Sequence, residues 1–146
     1  MMKSTFLAAG VLLLLAQPAL ADRPVTEMER ASILAAIAPF GCTATKMEFD
    51  SDDNRFEVDD ADCGDRRDFD LELNTAFEIV GGERPVTNEE QARIDAALAR
   101  AGCSGGIAEF DYDDARFEID KAQCGGQLFE IDLNRDFQIV KKNLDD

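Results

Sequence analysis

Residues 48–59, Glu48-Phe49-Asp50-Ser51-Asp52-Asp53-Asn54-Arg55-Phe56-Glu57-Val58-Asp59, read as a β-hairpin. Apolar and charged side chains alternate on either side of the acidic pair Asp52-Asp53, which sits where the chain must turn. With that pair as the turn centre, residues whose numbers sum to 105 stand opposite each other, setting Phe49 against Phe56 and Cys42 against Cys63. The stretch returns as EFDYDDARFEID at residues 109–120, around Asp113-Asp114. The sum there is 227, which sets Phe110 against Phe117 and Cys103 against Cys124.

Outward from the hairpins the whole chain repeats. RPVT at Arg23 to Thr26 recurs at Arg84 to Thr87, an offset of 61, and Gly41-Cys42 and Cys63-Gly64 meet Gly102-Cys103 and Cys124-Gly125 at the same offset. After the second cysteine the offset becomes 60, aligning Phe69, Leu71, Leu73, Phe77 and Ile79 with Phe129, Ile131, Leu133, Phe137 and Ile139. Matches over the full unit, with the length change at a turn, mark a duplication. The disulfides are expected within each copy, Cys42 with Cys63 and Cys103 with Cys124.

Each unit opens with a helix. Thr26 and Glu29, like Thr87 and Glu90, have the spacing of a capping box, and Ile33, Ile37 and Phe40, then Ile94, Leu98 and Ala101, fall on one helical face. Gly41 and Gly102 end the helices. Period-two alternation then predicts strands, through Met47 and Phe49, Phe56 and Val58, Phe69 to Leu73, and a short last one at Phe77 and Ile79. The fold expected is α+β, two tandem α-β-β-β(-β) units, each a helix packed on its own small antiparallel sheet. Residues 22–80 and 81–146 are the two repeats, with Gly81-Gly82 as the boundary. Units this small bury little surface, which gives the disulfides a physical purpose.

The N-terminus reads as a signal peptide, residues 1–21: Lys3, an apolar run from Phe6 to Ala16, and a small-residue box at Ala19-Leu20-Ala21 with cleavage after Ala21. The apolar run is short for a membrane span. A periplasmic or secreted location follows, and in an oxidising compartment an even cysteine count is a disulfide framework. The full chain has 146 residues and a net charge of -16; losing residues 1–21 removes one Lys and no acid, so the exported chain carries −17.

Composition excludes several functions. There is no His and no Trp, which removes imidazole acid/base catalysis, His-ligated metals and His-activated nucleophiles. The strong negative charge argues against a nucleic-acid partner. No enzyme activity and no cofactor are expected. The residues opposite the apolar set are mostly acids, and the candidate binding face is Glu48, Asp50, Asp52, Asp53, Glu57 and Asp59 in the first copy, and Glu109, Asp111, Asp113, Asp114, Glu118 and Asp120 in the second. Asp50-Ser51-Asp52-Asp53-Asn54 opens like a calcium loop, but Arg55 stands where the loop needs Gly and Ala61 where it needs Glu. A hairpin turn accounts for the same residues.

The capped helix, the FDxDDxRFE[VI]D hairpin and the final strand through Phe77-Glu78-Ile79-Val80 and Phe137-Gln138-Ile139-Val140 resemble the PepSY domain of exported bacterial proteins, found also in propeptides of thermolysin-type metalloproteases. The resemblance covers about Val25 to Val80 and Val86 to Val140. It implies a tandem, non-catalytic binding module, a peptidase modulator or inhibitor in the cell envelope with a peptidase as partner, while the acidic face by itself points to a basic envelope protein. The helix-plus-sheet unit used in tandem is also similar in plan to the beta-lactamase inhibitor protein, whose paired sheets bind protein. The alternative is an acidic calcium- or magnesium-binding envelope protein using the same carboxylates.

Overall fold

The computed structural model describes residues 22–145, so the expected signal peptide and its cleavage site lie outside the described residues. The elements follow in the order β1 (Arg23–Pro24), α1 (Glu27–Ile37), a 3-10 turn (Ala38–Phe40), β2 (Lys46–Asp50), β3 (Arg55–Cys63), β4 (Arg66–Leu73), β5 (Ile79–Pro85), α2 (Asn88–Arg100), β6 (Cys103–Ser104), β7 (Ile107–Asp111), β8 (Arg116–Cys124), β9 (Gln127–Leu133) and β10 (Ile139–Leu144).

Two separate small sheets were the expectation, and this is corrected by the topology. Among the described residues, all strands belong to one ten-stranded antiparallel sheet, ordered β1-β2-β3-β4-β5-β7-β8-β9-β10 with β6 paired to β8. Strands take 49% and helices 22% of the described residues, which are thus mostly β rather than two helix-on-sheet units. The physical cause is β5. Its first half pairs with β4, Leu71 opposite Gly82 and Leu73 opposite Ile79, and its second half pairs on its other side with β7, Glu83 opposite Asp111 and Arg84 opposite Phe110. The expected boundary at Gly81-Gly82 therefore lies inside a strand. Those glycines permit a close approach: a Cβ on Gly82, at φ +80, would collide with the Asp70 carbonyl oxygen, and one on Gly81 with the Glu72 carboxylate.

Locally the hairpins have the register set by their turn centres. Phe49 pairs with Phe56 and Phe110 with Phe117, with ring centroids 5.0 and 4.9 Å apart. The disulfides join Cys42 to Cys63 and Cys103 to Cys124. Both helix N-termini carry a complete capping box: the Glu29 N–H donates to Thr26 Oγ1 at 3.2 Å and the Thr26 N–H to Glu29 Oε2 at 2.8 Å, with the same arrangement at Thr87 and Glu90. Gly41 and Gly102 are left-handed, both at φ 72.

The core forms two clusters on one face of the sheet. Ile33 and Ile37 of α1 pack on Phe56, Val58, Leu71 and Leu73, while Ile94, Ala97 and Leu98 of α2 pack on Phe117, Ile119, Ile131 and Leu133. Ala97, not the expected Ala101, completes the buried stripe of α2. The short final strand begins later than expected, because Phe77 and Phe137 take positive φ (61 and 60) in tight turns. The carboxamide oxygen of Asn74 accepts from the N–H groups of Ala76 and Glu78, and Asn134 does the same for Asp136 and Gln138. Each turn presses its Phe flat against the hairpin, Phe77 on Phe56 at 5.0 Å and Phe137 on Phe117 at 4.6 Å.

Candidate functional site

The face away from the helices is where the acids gather, and the register lines them up. Opposite residues in a sheet point to the same side. Glu48 stands against Glu57 and Glu57 against Glu72, and in the second repeat Glu109 stands against Glu118 and Glu118 against Asp132. The β5–β7 pairing puts Glu83 on this side beside Asp111, so carboxylates also stand at the joint between the repeats, although Glu72 faces Gly81 there and Glu109 faces Pro85. Arg66 reaches from the first repeat to Glu109 of the second, 2.6 Å apart.

The expected face residues separate into three groups. Glu48, Glu57, Glu109 and Glu118 form the rungs just described. Asp50 and Asp111 are turned partly to structural use, each accepting two backbone N–H groups of its own turn: Asp52 at 2.7 Å and Asp53 at 3.1 Å, Asp113 at 2.7 Å and Asp114 at 3.1 Å. Asp52, Asp53, Asp113 and Asp114 are exposed at the hairpin tips, and Asp114 lies 4.0 Å from Arg116. Asp59 and Asp120 sit at bulges. The sheet shifts register between Val58 and Ala61 and between Ile119 and Ala122, and Asp60 and Lys121, at φ 52 and 58, take up the extra residue.

Crowding of like charge marks this face electrically. Burial, then the charges of Asp50, Glu48, Asp59 and Glu72, pushes the Glu57 carboxyl above its ordinary range. Burial followed by Asp132, Asp111, Glu83 and Glu109 does the same to Glu118, and burial followed by Glu109 and Asp111 to Glu83. Some rungs have cations. Arg55 pairs with Glu72, and in the second repeat Arg116 pairs with Asp132 at 3.0 Å and Lys141 with Glu130 at 2.6 Å.

Sequence reasoning missed Glu83, because it lies beside the Gly81-Gly82 boundary and outside the alternating stretches, and it missed Arg84. Arg84 is 7% exposed and holds Glu90 through two hydrogen bonds of 2.8 Å, donates to the Tyr112 hydroxyl at 3.1 Å, and lies over the rings of Phe40 and Phe110 at 4.4 and 4.8 Å. Phe40 belongs to the first repeat, so this guanidinium ties the repeats together on the helix side. The duplicated RPVT was the available signal: Arg23 pairs with Glu29 and covers Phe49 at 4.5 Å in the same way.

Chemically the face is a set of half-buried carboxylates suited to binding cationic groups. Among the described residues, no helix is long and apolar enough to cross a membrane. Compared with known proteins, the chain matches no family model, no curated protein and no solved structure.

Proposed function

We propose that this protein is an exported, non-catalytic binding module of PepSY type, which recognises a basic protein surface in the cell envelope through its acidic sheet face. A peptidase held in check is the partner the resemblance suggests. The observation that carries the reading is the set of directly opposed carboxylates on one face of both repeats, Glu48, Glu57 and Glu72 in the first and Glu109, Glu118 and Asp132 in the second, with Glu83 opposite Asp111 between them. Like charges placed opposite each other destabilise a sheet. A partner supplying Lys and Arg relieves that repulsion, so complementary charge gives such a surface both orientation and rate of encounter. The two disulfides suit an oxidising compartment.

Capture from periplasmic extract on the immobilised mature chain tests this. A partner should be retained at low salt, released by about 0.5 M salt, and lost from a Glu48→Gln, Glu57→Gln, Glu72→Gln variant. It should remain on a Glu27→Gln, Glu89→Gln control, whose changes lie on the helices. Equal retention by the two variants, or nothing retained at low salt, would refute electrostatic recognition by the sheet face.

A further inference from the structure

We propose that the cleft between Arg84 and Arg135 binds a carboxylate carried on an apolar or aromatic body. The cleft measures about 330 Å³, within the range of small-ligand sites, and is lined by Arg84, Glu90, Phe110, Tyr112, Phe117 and Arg135. Phe110 and Phe117 belong to the core packed on α2, so the cleft opens on the helix side of the sheet, away from the acidic face. Both guanidinium groups lie over the Phe110 ring, Arg84 at 4.8 Å and Arg135 at 5.5 Å from its centroid.

The two arginines differ in what they hold. Arg84 is committed to Glu90, and Glu90, the one carboxylate of the lining, also accepts the Thr87 N–H at 2.8 Å. Arg135 is exposed and, among the described residues, makes no ion pair and no hydrogen bond; Asp136, next in the chain, does not pair with it. The Tyr112 hydroxyl accepts from Arg84 Nε at 3.1 Å, and its own proton has no acceptor among the described residues. A planar guanidinium fork and a phenol proton are donors suited to the two oxygens of a carboxylate, and the neighbouring rings offer an apolar body a surface.

Comparison of the two repeats separates these donors from the needs of the fold. Four lining residues have their counterparts in the first repeat, Arg23, Glu29, Phe49 and Phe56, whereas Tyr112 is replaced by Ser51 and Arg135 by Thr75. The turns that carry them are built alike in both copies, on Asp50 and Asp111 and on Asn74 and Asn134, so neither turn requires a Tyr or an Arg. The two residues peculiar to the second repeat are thus the two with donors left over, and both line one cleft. The site shares no residue with the acidic face, so its failure would leave the proposed protein partner intact.

The experiment is calorimetric titration of the mature protein with phenylacetate at about 0.15 M salt, which screens the repulsion of an anion by the chain's net charge beyond about 8 Å. One molecule per chain should bind, with a dissociation constant of about 10⁻⁴ to 10⁻³ M, in keeping with a ligand of about ten heavy atoms. Tyr112 is the sole tyrosine of a chain without Trp, so the tyrosine band in near-ultraviolet circular dichroism should change with the same saturation. Phenylacetamide, which lacks the charge, and acetate, which lacks the ring, should each bind at least about tenfold more weakly. Arg135→Thr, which installs the residue of the first repeat, should weaken phenylacetate binding at least about tenfold while leaving the melting temperature close to the parent's, and Arg100→Thr should leave binding unchanged. Tyr112→Phe, which keeps the ring and removes the proton, should weaken it about fivefold. A tripeptide ending in Phe tells the source of the carboxylate: binding tighter than that of phenylacetate assigns the cleft to a peptide C-terminus, and weaker binding assigns it to a free aromatic acid. No saturable binding up to about 10 mM phenylacetate, equal affinity for phenylacetamide, or equal affinities in Arg135→Thr and Arg100→Thr overturns the site.

Discussion

Glu29 and Glu118 are the same residue type driven in opposite directions by their surroundings. The Arg23 guanidinium, followed by the Thr26 backbone N–H, holds the Glu29 carboxyl at about 2, well below its ordinary 4.5. The stabilisation it contributes is therefore complete above about pH 4.5 and lost as pH falls toward 2. Glu29→Gln should lower the melting temperature at pH 7, with the difference from the parent closing as pH falls through that window. Thermal scans at several pH values check this. Glu57, Glu83 and Glu118 are raised, so the folded state holds their protons more tightly than the unfolded chain, and they cost stability as pH rises above the ordinary carboxylate range. Glu57→Gln should consequently raise the melting temperature at pH 7, and its advantage should shrink when salt is added or pH is lowered. At this scale the capping boxes and the aromatic pair of each hairpin were legible from spacing alone. Arg84 was not, because a single Arg carries no period and its role depends on Phe40, far away in the chain.

Among the elements, the bulges and turns set which side chains reach the acidic face. The two-residue period predicts uninterrupted strands, yet β3 and β8 each spend one extra residue at Asp60 and Lys121, which lets Ala61 and Ala122 rejoin the core. An extra residue leaves no mark on an alternating pattern when both neighbours are polar, as Asp59-Asp60 and Asp120-Lys121 are. The Asn74 and Asn134 turns were hidden for a related reason: Phe77 looks like a strand residue by hydropathy, while its buttressing of Phe56 is a tertiary matter. Gly82 is the sharpest test of element geometry. Gly82→Ala should cost about 2 kcal/mol or more, since strain at positive φ is joined by collision with the Asp70 carbonyl. Gly64→Ala, with φ +77 but open space around it, should cost only about 1 kcal/mol. Urea denaturation of the two variants separates strain from collision. Removing either disulfide by a paired Cys→Ser change should cost about 3 kcal/mol, the chain-entropy value for cysteines 21 residues apart.

In the whole molecule the two cores are joined from both sides, by Arg84 over Phe40 on the helix side and by Arg66 with Glu109 on the acidic side. Unfolding should accordingly be a single transition in calorimetry, with matching calorimetric and van't Hoff enthalpies. Arg84→Ala should cost about 3 kcal/mol, because Glu90 is left half-buried without its cation, and Arg84→Lys should not restore the parent value, since Lys lacks the planar fork. The duplication was plain in the sequence. That the copies share one sheet was not, because Gly81-Gly82 reads as a linker until the crowding at Asp70 and Glu72 is seen. The shared strand also explains how such a protein could grow. β5 takes its left-hand neighbour from one copy and hands its right side to the next, so Gly-Gly-Glu-Arg-Pro at 81–85 works as a coupling piece. At the corresponding positions of the second copy, 141–145, the chain reads Lys-Lys-Asn-Leu-Asp. Those residues lack the close-approach glycines and the anchoring Arg, and their lysines guard the open edge. Exchanging residues 141–145 for the coupling piece should give β10 the pairing edge that β5 offers β7, so that an appended copy would continue the same sheet and lengthen the ribbon by a fixed increment.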